Sequence, residues 1–348
     1  MSYFRDNIDS LSPYVPGEQP GADEKVIKLN TNENPYPPSP AAMEVVRRLA
    51  GDLLRRYPNP CAREFRAAAA HVLGFDEPWI LPGNGSDELL TMLMRSTAGV
   101  GRPAAYPVPT YVLYRTLAEI QEAETIEVPF DEEYNLPAGE LAEAGAALTL
   151  VASPNSPSGT LAPNDQLADL ANHLSGILVI DEAYVDFADS SALDLARSCD
   201  NVVVLRTLSK GYSLAGLRLG FAVANPALLE GLSKVKDSYN VDAVAAAAGA
   251  AAIRDRAHFR ANIDRVKASR NKLSADLLAM GFQVWPSQAN FLLARPPGGD
   301  AQRLYEDLKG RGILVRYFKQ PRLDDKLRIT VGHDQDNAAL IAALGKML

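Results

Sequence analysis

The sequence is poor in the residues that staple or metallate small folds. Two cysteines in 348 residues, Cys61 and Cys199, cannot build a disulfide framework, so a reducing cytoplasm is the expected compartment. Histidines occur only at 71, 173, 258 and 333, without metal-ligand spacing, and no metal is expected. Basic residues are not in excess: 35 Lys and Arg stand against 43 Asp and Glu, a net charge of −8, which argues against a nucleic-acid binder. The longest apolar stretch, Ala243 to Ile253, is mostly alanine and falls short of the roughly 20 residues a membrane span needs. MSYFRDNIDSLSPY carries charge from Arg5 onward and has no apolar centre, so no signal peptide is expected. Ser86 and Ser209 lie outside any GxSxG, which leaves a serine hydrolase without support.

What is present is ordinary globular composition, 47% hydrophobic and 22% charged, at a length that suits two domains sharing an interface. NTNENPYPPSP, from Asn30 to Pro40, reads as irregular backbone because each proline removes a donor and restricts its predecessor. A helix is expected next, with Met43, Val46, Leu49, Leu53 and Leu54 at helical spacing. LTLVAS (148–153), ILVID (177–181), VVVLRT (202–207) and LGFAVAN (219–225) are apolar runs without two-residue alternation. Such runs suit strands buried on both faces of a parallel or mixed sheet, and helical segments after Asn84 and Pro163 complete an α/β pattern. After Asn240 come long helices (243–253 and roughly 257–280), then FQVWPSQANFLLAR, a helix near 301–311, ILVRYF and LRITVG. The expected division is an arm over 1–40 joining a small domain, a large α/β domain over 41–245, and a small α+β domain over 246–348.

Ligand sites in open α/β sheets lie beyond the carboxyl ends of strands. Three runs end in chemistry there: ILVID at Asp181, VVVLRT at Thr207 followed by LSKGYSLAGLRLG, and LTLVAS followed by PNSPSGT. Lys210, among small residues past an apolar strand, could attack a carbonyl to form a Schiff base. Asp181 would be a carboxylate in the interior, costly unless paired. Arg218 offers a planar donor fork suited to phosphate. Singly, each has an ordinary explanation: a surface lysine, a helix cap, a structural ion pair. Jointly they match a pyridoxal phosphate site, in which a lysine holds the aldehyde and an acid faces the ring nitrogen.

That cofactor's needs account for further residues. Tyr184, three past Asp181, could meet the phenolic oxygen, and Tyr111 in PVPTYVLY could stack on the ring. GNGSDELL is a glycine-bearing turn opening a helix, whose amides at Gly85, Ser86 and Asp87 can receive an anion. Thr207 and Ser209 could add hydroxyls. A dinucleotide site is disfavoured because Glu88 stands where the third glycine of GxGxxG would be.

Taken in order, LSPYVPG, KLNTNENP, RYPNP, GNGSDE, PTY, SPNSPSG, DEAY, TLSKGYSLAGLRLG, ANFLL, GILVR and LRITVG resemble the fold-type I pyridoxal phosphate aminotransferases, and within them the histidinol-phosphate aminotransferase family. The resemblance spans nearly the whole chain. It implies a large domain with a mostly parallel mixed sheet covered by helices, plus a smaller α+β domain. It implies that Lys210 carries the cofactor and shuttles the proton, with Asp181 at the ring nitrogen and Tyr184 at the phenolic oxygen. Tyr111 would stack, while Ser86, Asp87, Ser209 and Arg218 would hold the phosphate. Tyr57 would reach into a partner subunit's site, which implies a homodimer. Arg328 resembles the clamp for a substrate carboxylate, and Arg316 and Tyr14 the groups gripping a substrate phosphate, with Asn32 lining the same mouth. One departure stands out: Ser156 occupies the place before proline where the family commonly has asparagine. Either Asn155, one residue earlier, takes the contact with the phenolic oxygen, or Ser156 and Tyr184 carry it; Asn155 is the preferred assignment.

The expected activity is amino transfer between L-histidinol phosphate and 2-oxoglutarate, giving imidazole-acetol phosphate and L-glutamate. An aromatic aminotransferase and a threonine-phosphate decarboxylase are rivals on the same fold. A non-catalytic ligand sensor is disfavoured by the intact Lys210 and the absence of a basic helix-turn-helix extension. A nicotinamide dehydrogenase lacks its phosphate-binding turn.

Overall fold

The computed structural model describes residues 2–12, 17–21 and 25–348. Its main element is a seven-stranded sheet in the order Ile80–Gly83, Gly220–Ala224, Val202–Thr207, Ile177–Asp181, Leu148–Ala152, Ala104–Val108, Thr125–Pro129. Gly220–Ala224 runs antiparallel to both neighbours, and the remaining pairings are parallel. The four apolar runs singled out above are thus four of the central strands, trimmed by at most one residue at each end.

Side chains of a strand alternate between faces, so two apolar layers grow from each strand. Leu178, Ile180, Val202 and Val204 belong to one buried cluster. Val179, Val203, Leu205, Leu148 and Leu150 belong to another. The first is covered by the helices Arg63–Leu73 and Ala243–Arg254, the second by Ser86–Thr97 and Leu113–Ile120. Because both faces are covered, the strands carry no polar face, which explains their unbroken apolar reading.

The alanine richness has the same origin. Ala243–Arg254 buries Ala245, Ala246, Ala248, Ala250 and Ala252 and packs against Pro40–Arg47 and Arg63–Leu73. A Cβ on its Gly249 would come within 2.2 Å of a Leu219 methyl, so the helix approaches its support too closely for any side chain there. The expected helix over Met43 to Leu54 is instead two, Pro40–Arg47 and Gly51–Leu54. Ala50 is extended, Gly51 is a poor helix former, and Leu53 and Leu54 are exposed, so no core contact holds a continuous helix together.

A third buried cluster gathers Leu273, Leu277, Leu292, Leu304, Ile313, Leu327, Ile329 and Leu340. It lies about the four-stranded sheet of Arg316–Tyr317, Leu327–Thr330, Phe291–Arg295 and Gln283–Val284. The N-terminal segment joins it: Ile27–Lys28 pairs parallel with Ile313–Leu314, and Leu29 is buried in the cluster. The 24-residue helix Arg256–Ala279 buries Phe259, Ile263, Val266, Leu273 and Leu277 at intervals that keep them on one stripe. Among the described residues, no helix is long and apolar enough to cross a membrane.

Candidate active site

The parallel strands end together. Ala152 pairs with Asp181 and Asp181 with Leu205, so Asp181, Ser153 and the Thr207–Lys210 segment open on one side of the sheet. There lies a cavity of about 550 Å³, within the range of small-molecule sites. Its floor carries Asp181, Tyr184, Thr207, Ser209 and Lys210; Ser86, Asp87, Tyr111 and Arg218 form one wall. The other wall comes from the four-stranded sheet and the N-terminal segment, with Arg316, Arg328 and Asn32.

Asp181 is 5% exposed. Its carboxylate accepts from the Tyr114 hydroxyl at Oδ2 (2.8 Å) and from the Ala183 amide at Oδ1 (3.1 Å). Burial nonetheless dominates and pushes its carboxyl up to about 6, the two hydrogen bonds pulling the other way. Such a carboxylate gains most from a cationic partner inside the cavity.

The anion-binding end is built from backbone. Ser86–Thr97 starts at Gly85, whose φ of 79° is a left-handed conformation that glycine adopts freely. A Cβ there would stand 2.8 Å from Arg218 Nη2, so glycine is what lets the guanidinium reach the helix start. The first-turn amides, the helix dipole and Arg218 thus converge on one spot. Arg218 is itself held at φ 50°, ψ 54°, an uncommon conformation for a long side chain, of the kind concentrated at functional sites. Its guanidinium pairs with Asp87 (3.0 Å) and donates to Ser209 Oγ (3.4 Å), which also accepts from Thr207 Oγ1 (3.0 Å). Tyr111 donates to Asp87 Oδ1 (3.3 Å) and meets Tyr114 edge-on. A phosphate monoester, an aromatic ring and a carbonyl carbon match these donors, this tyrosine face and Lys210, so the residues present fit pyridoxal phosphate.

Lys210 Nζ donates to the Thr31 carbonyl at 3.3 Å, and its own carbonyl accepts from Asn34. The NENP segment therefore touches the lysine loop directly. Asn32, also left-handed at φ 56°, donates through Nδ2 to the Tyr184 hydroxyl at 3.0 Å. Thr330 and Asn290 fix Asn32 in turn. Arg328 donates to Ser156 Oγ (3.1 Å) and to the Asn30 carbonyl (2.9 Å), and Arg316 lies over the Phe318 ring.

One expected residue is placed away from the cavity. Asn155 is buried between its own loop and the Pro109–Thr110 turn, away from the cavity lining. Its amide donates to Ser158 Oγ and the Pro109 carbonyl, and its oxygen accepts from Thr110. Every polar atom of that side chain is spent locally, so it is Ser156 that faces the cavity and Asn32 that meets Tyr184. Tyr57 is 81% exposed and stacks on Tyr239 with ring centroids 4.6 Å apart, outside the cavity. Tyr14 lies outside the described residues. Tyr114 was missed; its position three residues after Tyr111, in the first turn of the helix that follows, was the available signal. Also missed was the buried cluster behind the lysine loop, where Arg206 pairs with Glu182 (2.6 Å) and Asp186 (3.6 Å). Among the described residues no group of side chains could hold a metal ion.

The aminotransferase class I and II family model matches residues 24–344. Histidinol-phosphate aminotransferase 1 of Trichormus variabilis is 57% identical, the match covering 100% of this chain and 99% of the relative. Histidinol-phosphate aminotransferase of Citrifermentans bemidjiense is 46% identical over the same shares. Among solved structures, histidinol-phosphate aminotransferase from Sinorhizobium meliloti in complex with pyridoxal-5'-phosphate superposes with a TM-score of 0.91 at 26% identity, covering 99% of this chain and 97% of that one. The ordered motifs, the doubly covered sheet and the full-length likeness agree: this chain belongs to the class I and II aminotransferases, in their histidinol-phosphate aminotransferase branch.

Proposed function

We propose that the protein moves an amino group between L-histidinol phosphate and 2-oxoglutarate, giving imidazole-acetol phosphate and L-glutamate, as a step of L-histidine biosynthesis, with pyridoxal phosphate as cofactor. The observation that carries this reading is one cavity holding Lys210 and the buried Asp181 on its floor, an anion site on one wall and two arginines on the other. When bound, pyridoxal phosphate supplies a carbonyl carbon that takes up the amino group and a ring that accepts the electrons released at the substrate carbon.

The chain's own residues do the rest. The first-turn amides of Ser86 and Asp87, with Ser209, Thr207 and Arg218, would bind the cofactor phosphate, Arg218 turning from the Asp87 carboxylate toward it. Tyr111, on the cavity wall, would bear on the ring face. Asp181 would hold a proton on the ring nitrogen, a counter-charge that would relieve the burial penalty on its own carboxylate. Because Asn32 donates to the Tyr184 oxygen, the Tyr184 proton is left for an acceptor in the cavity, the role the phenolic oxygen would fill. Lys210 Nζ would hold the cofactor's carbonyl carbon and, as a free amine, would take and return the proton of the substrate carbon.

Arg316 and Arg328 would receive the anion each substrate presents away from its reacting amine, phosphate in one case and carboxylate in the other. The exposed Tyr57–Tyr239 pair, remote from its own cavity, supports a homodimer in which Tyr57 completes a partner's site. The cytoplasm is the proposed compartment. The test is the single-turnover loss of the bound cofactor's visible absorption on adding histidinol phosphate, phenylalanine or threonine phosphate. Histidinol phosphate should react fastest and yield glutamate with 2-oxoglutarate. Faster reaction with phenylalanine, or carbon dioxide from threonine phosphate, would overturn the substrate assignment.

A further inference from the structure

Tyr114 takes no part in the chemistry above, yet its hydroxyl sits on the residue that chemistry depends on. It is fully buried in the cluster formed by Leu89, Leu90, Leu117 and Leu148. Phenylalanine would fill the same space, so packing alone does not call for the hydroxyl. That oxygen donates to Asp181 Oδ2 at 2.8 Å. The ring meets Tyr111 edge-on at 5.7 Å and Tyr106 at 5.9 Å, so one side chain joins the cavity's aromatic wall to the carboxylate on its floor. Asp181 has no other side-chain donor among the described hydrogen bonds; its second bond, from Ala183, is made by backbone two residues along the same chain.

We infer that Tyr114 is a positioning residue: its hydroxyl fixes the Asp181 carboxylate in place and keeps it ionised against the ring nitrogen of the cofactor, an inference that rests on the reading of the site as a pyridoxal phosphate pocket. The surroundings oppose ionisation. Asp87 from the helix start and Glu182 next in the chain both bring negative charge near Asp181, while Tyr111 and Tyr184 are the other titratable groups about Tyr114. The Tyr114 hydrogen bond is the largest influence favouring the charged form. Without it the carboxylate is more basic and draws the proton from the ring nitrogen. The ring then carries less positive charge, which makes the nitrogen joining it to Lys210 more basic.

The experiment compares cofactor-loaded wild type, Tyr114→Phe and Tyr106→Phe. Tyr106 is a second buried tyrosine of the same cluster, with its hydroxyl on Glu127 instead. For Tyr114→Phe the pH midpoint of the cofactor's visible absorption should rise by about half a unit or more, and kcat should fall about tenfold with KM little changed, the expected loss for one charge-assisted hydrogen bond. Tyr106→Phe should keep the wild-type midpoint. In an Asp181→Asn background, Tyr114→Phe should have no further effect on kcat. An unmoved midpoint in Tyr114→Phe, or equal shifts in both variants, would overturn the inference. If Tyr114→Phe does not fold, 3-fluorotyrosine at position 114, a stronger donor of nearly the same shape, should lower the midpoint; an unchanged value would count against the role. Failure of the underlying reading is distinguishable, because wild type would then develop no visible band with pyridoxal phosphate.

Discussion

Replacing Asp181 by asparagine should make the cofactor-free protein more stable while removing its activity. The carboxyl is buried, and its pKa lies at about 6 in the folded chain against 3.8 ordinarily. Between those values the folded protein keeps a proton that the unfolded chain has released, so stability falls as pH rises through the window. At about 1.4 kcal/mol per pH unit, the full penalty above pH 6 is about 3 kcal/mol, and it vanishes below about pH 4. Asparagine has nearly the same shape, can still accept from Ala183 and Tyr114, and carries no charge. Urea denaturation of cofactor-free wild type and Asp181→Asn, at one protein concentration and at pH values from 4 to 8, measures the difference. It should grow from near zero to about 3 kcal/mol in favour of the variant. The raised carboxyl of Asp186 is common to both proteins and cancels. In the same variant kcat should drop at least about a hundredfold, because the ring nitrogen loses its counter-charge. A stability difference independent of pH, or one favouring wild type at pH 7, would refute the reasoning.

Other outcomes follow from the same geometry. Lys210→Ala should lower turnover by about a thousandfold or more in a glutamate-formation assay, since both anchor and proton carrier are gone. Arg218→Ala should weaken cofactor retention about ten- to a hundredfold, measured by equilibrium dialysis, because a charge-assisted contact at a helix start is lost. Arg316→Ala should lower kcat/KM for histidinol phosphate more than for glutamate, and Arg328→Ala the reverse, each by about tenfold or more.

Much of this was legible locally. Strands buried on both faces declare themselves as short apolar runs, and Asp181 and Lys210 stand out because each directly ends or follows such a run. What stayed hidden depends on contacts between distant segments. The Tyr114–Asp181 bond joins residues 67 apart in the chain, and the Asn32–Tyr184 bond residues 152 apart. Neither follows from residue type. Asn155 had the right chemistry in the right tripeptide, but Thr110, Ser158 and the Pro109 carbonyl claim its amide, and only the folded loop reveals that competition. The helix over Met43 to Leu54 failed for a related reason: its spacing was helical, but no core lies beneath Leu53 and Leu54 to reward it.

The most direct test is chemical. Borohydride reduction of the protein loaded with pyridoxal phosphate, followed by proteolysis and mass mapping, locates the attachment point. A single pyridoxyl group on the peptide containing Lys210 is the predicted result. Labelling of another lysine, with Lys210 recovered unmodified, would contradict the assignment of the site.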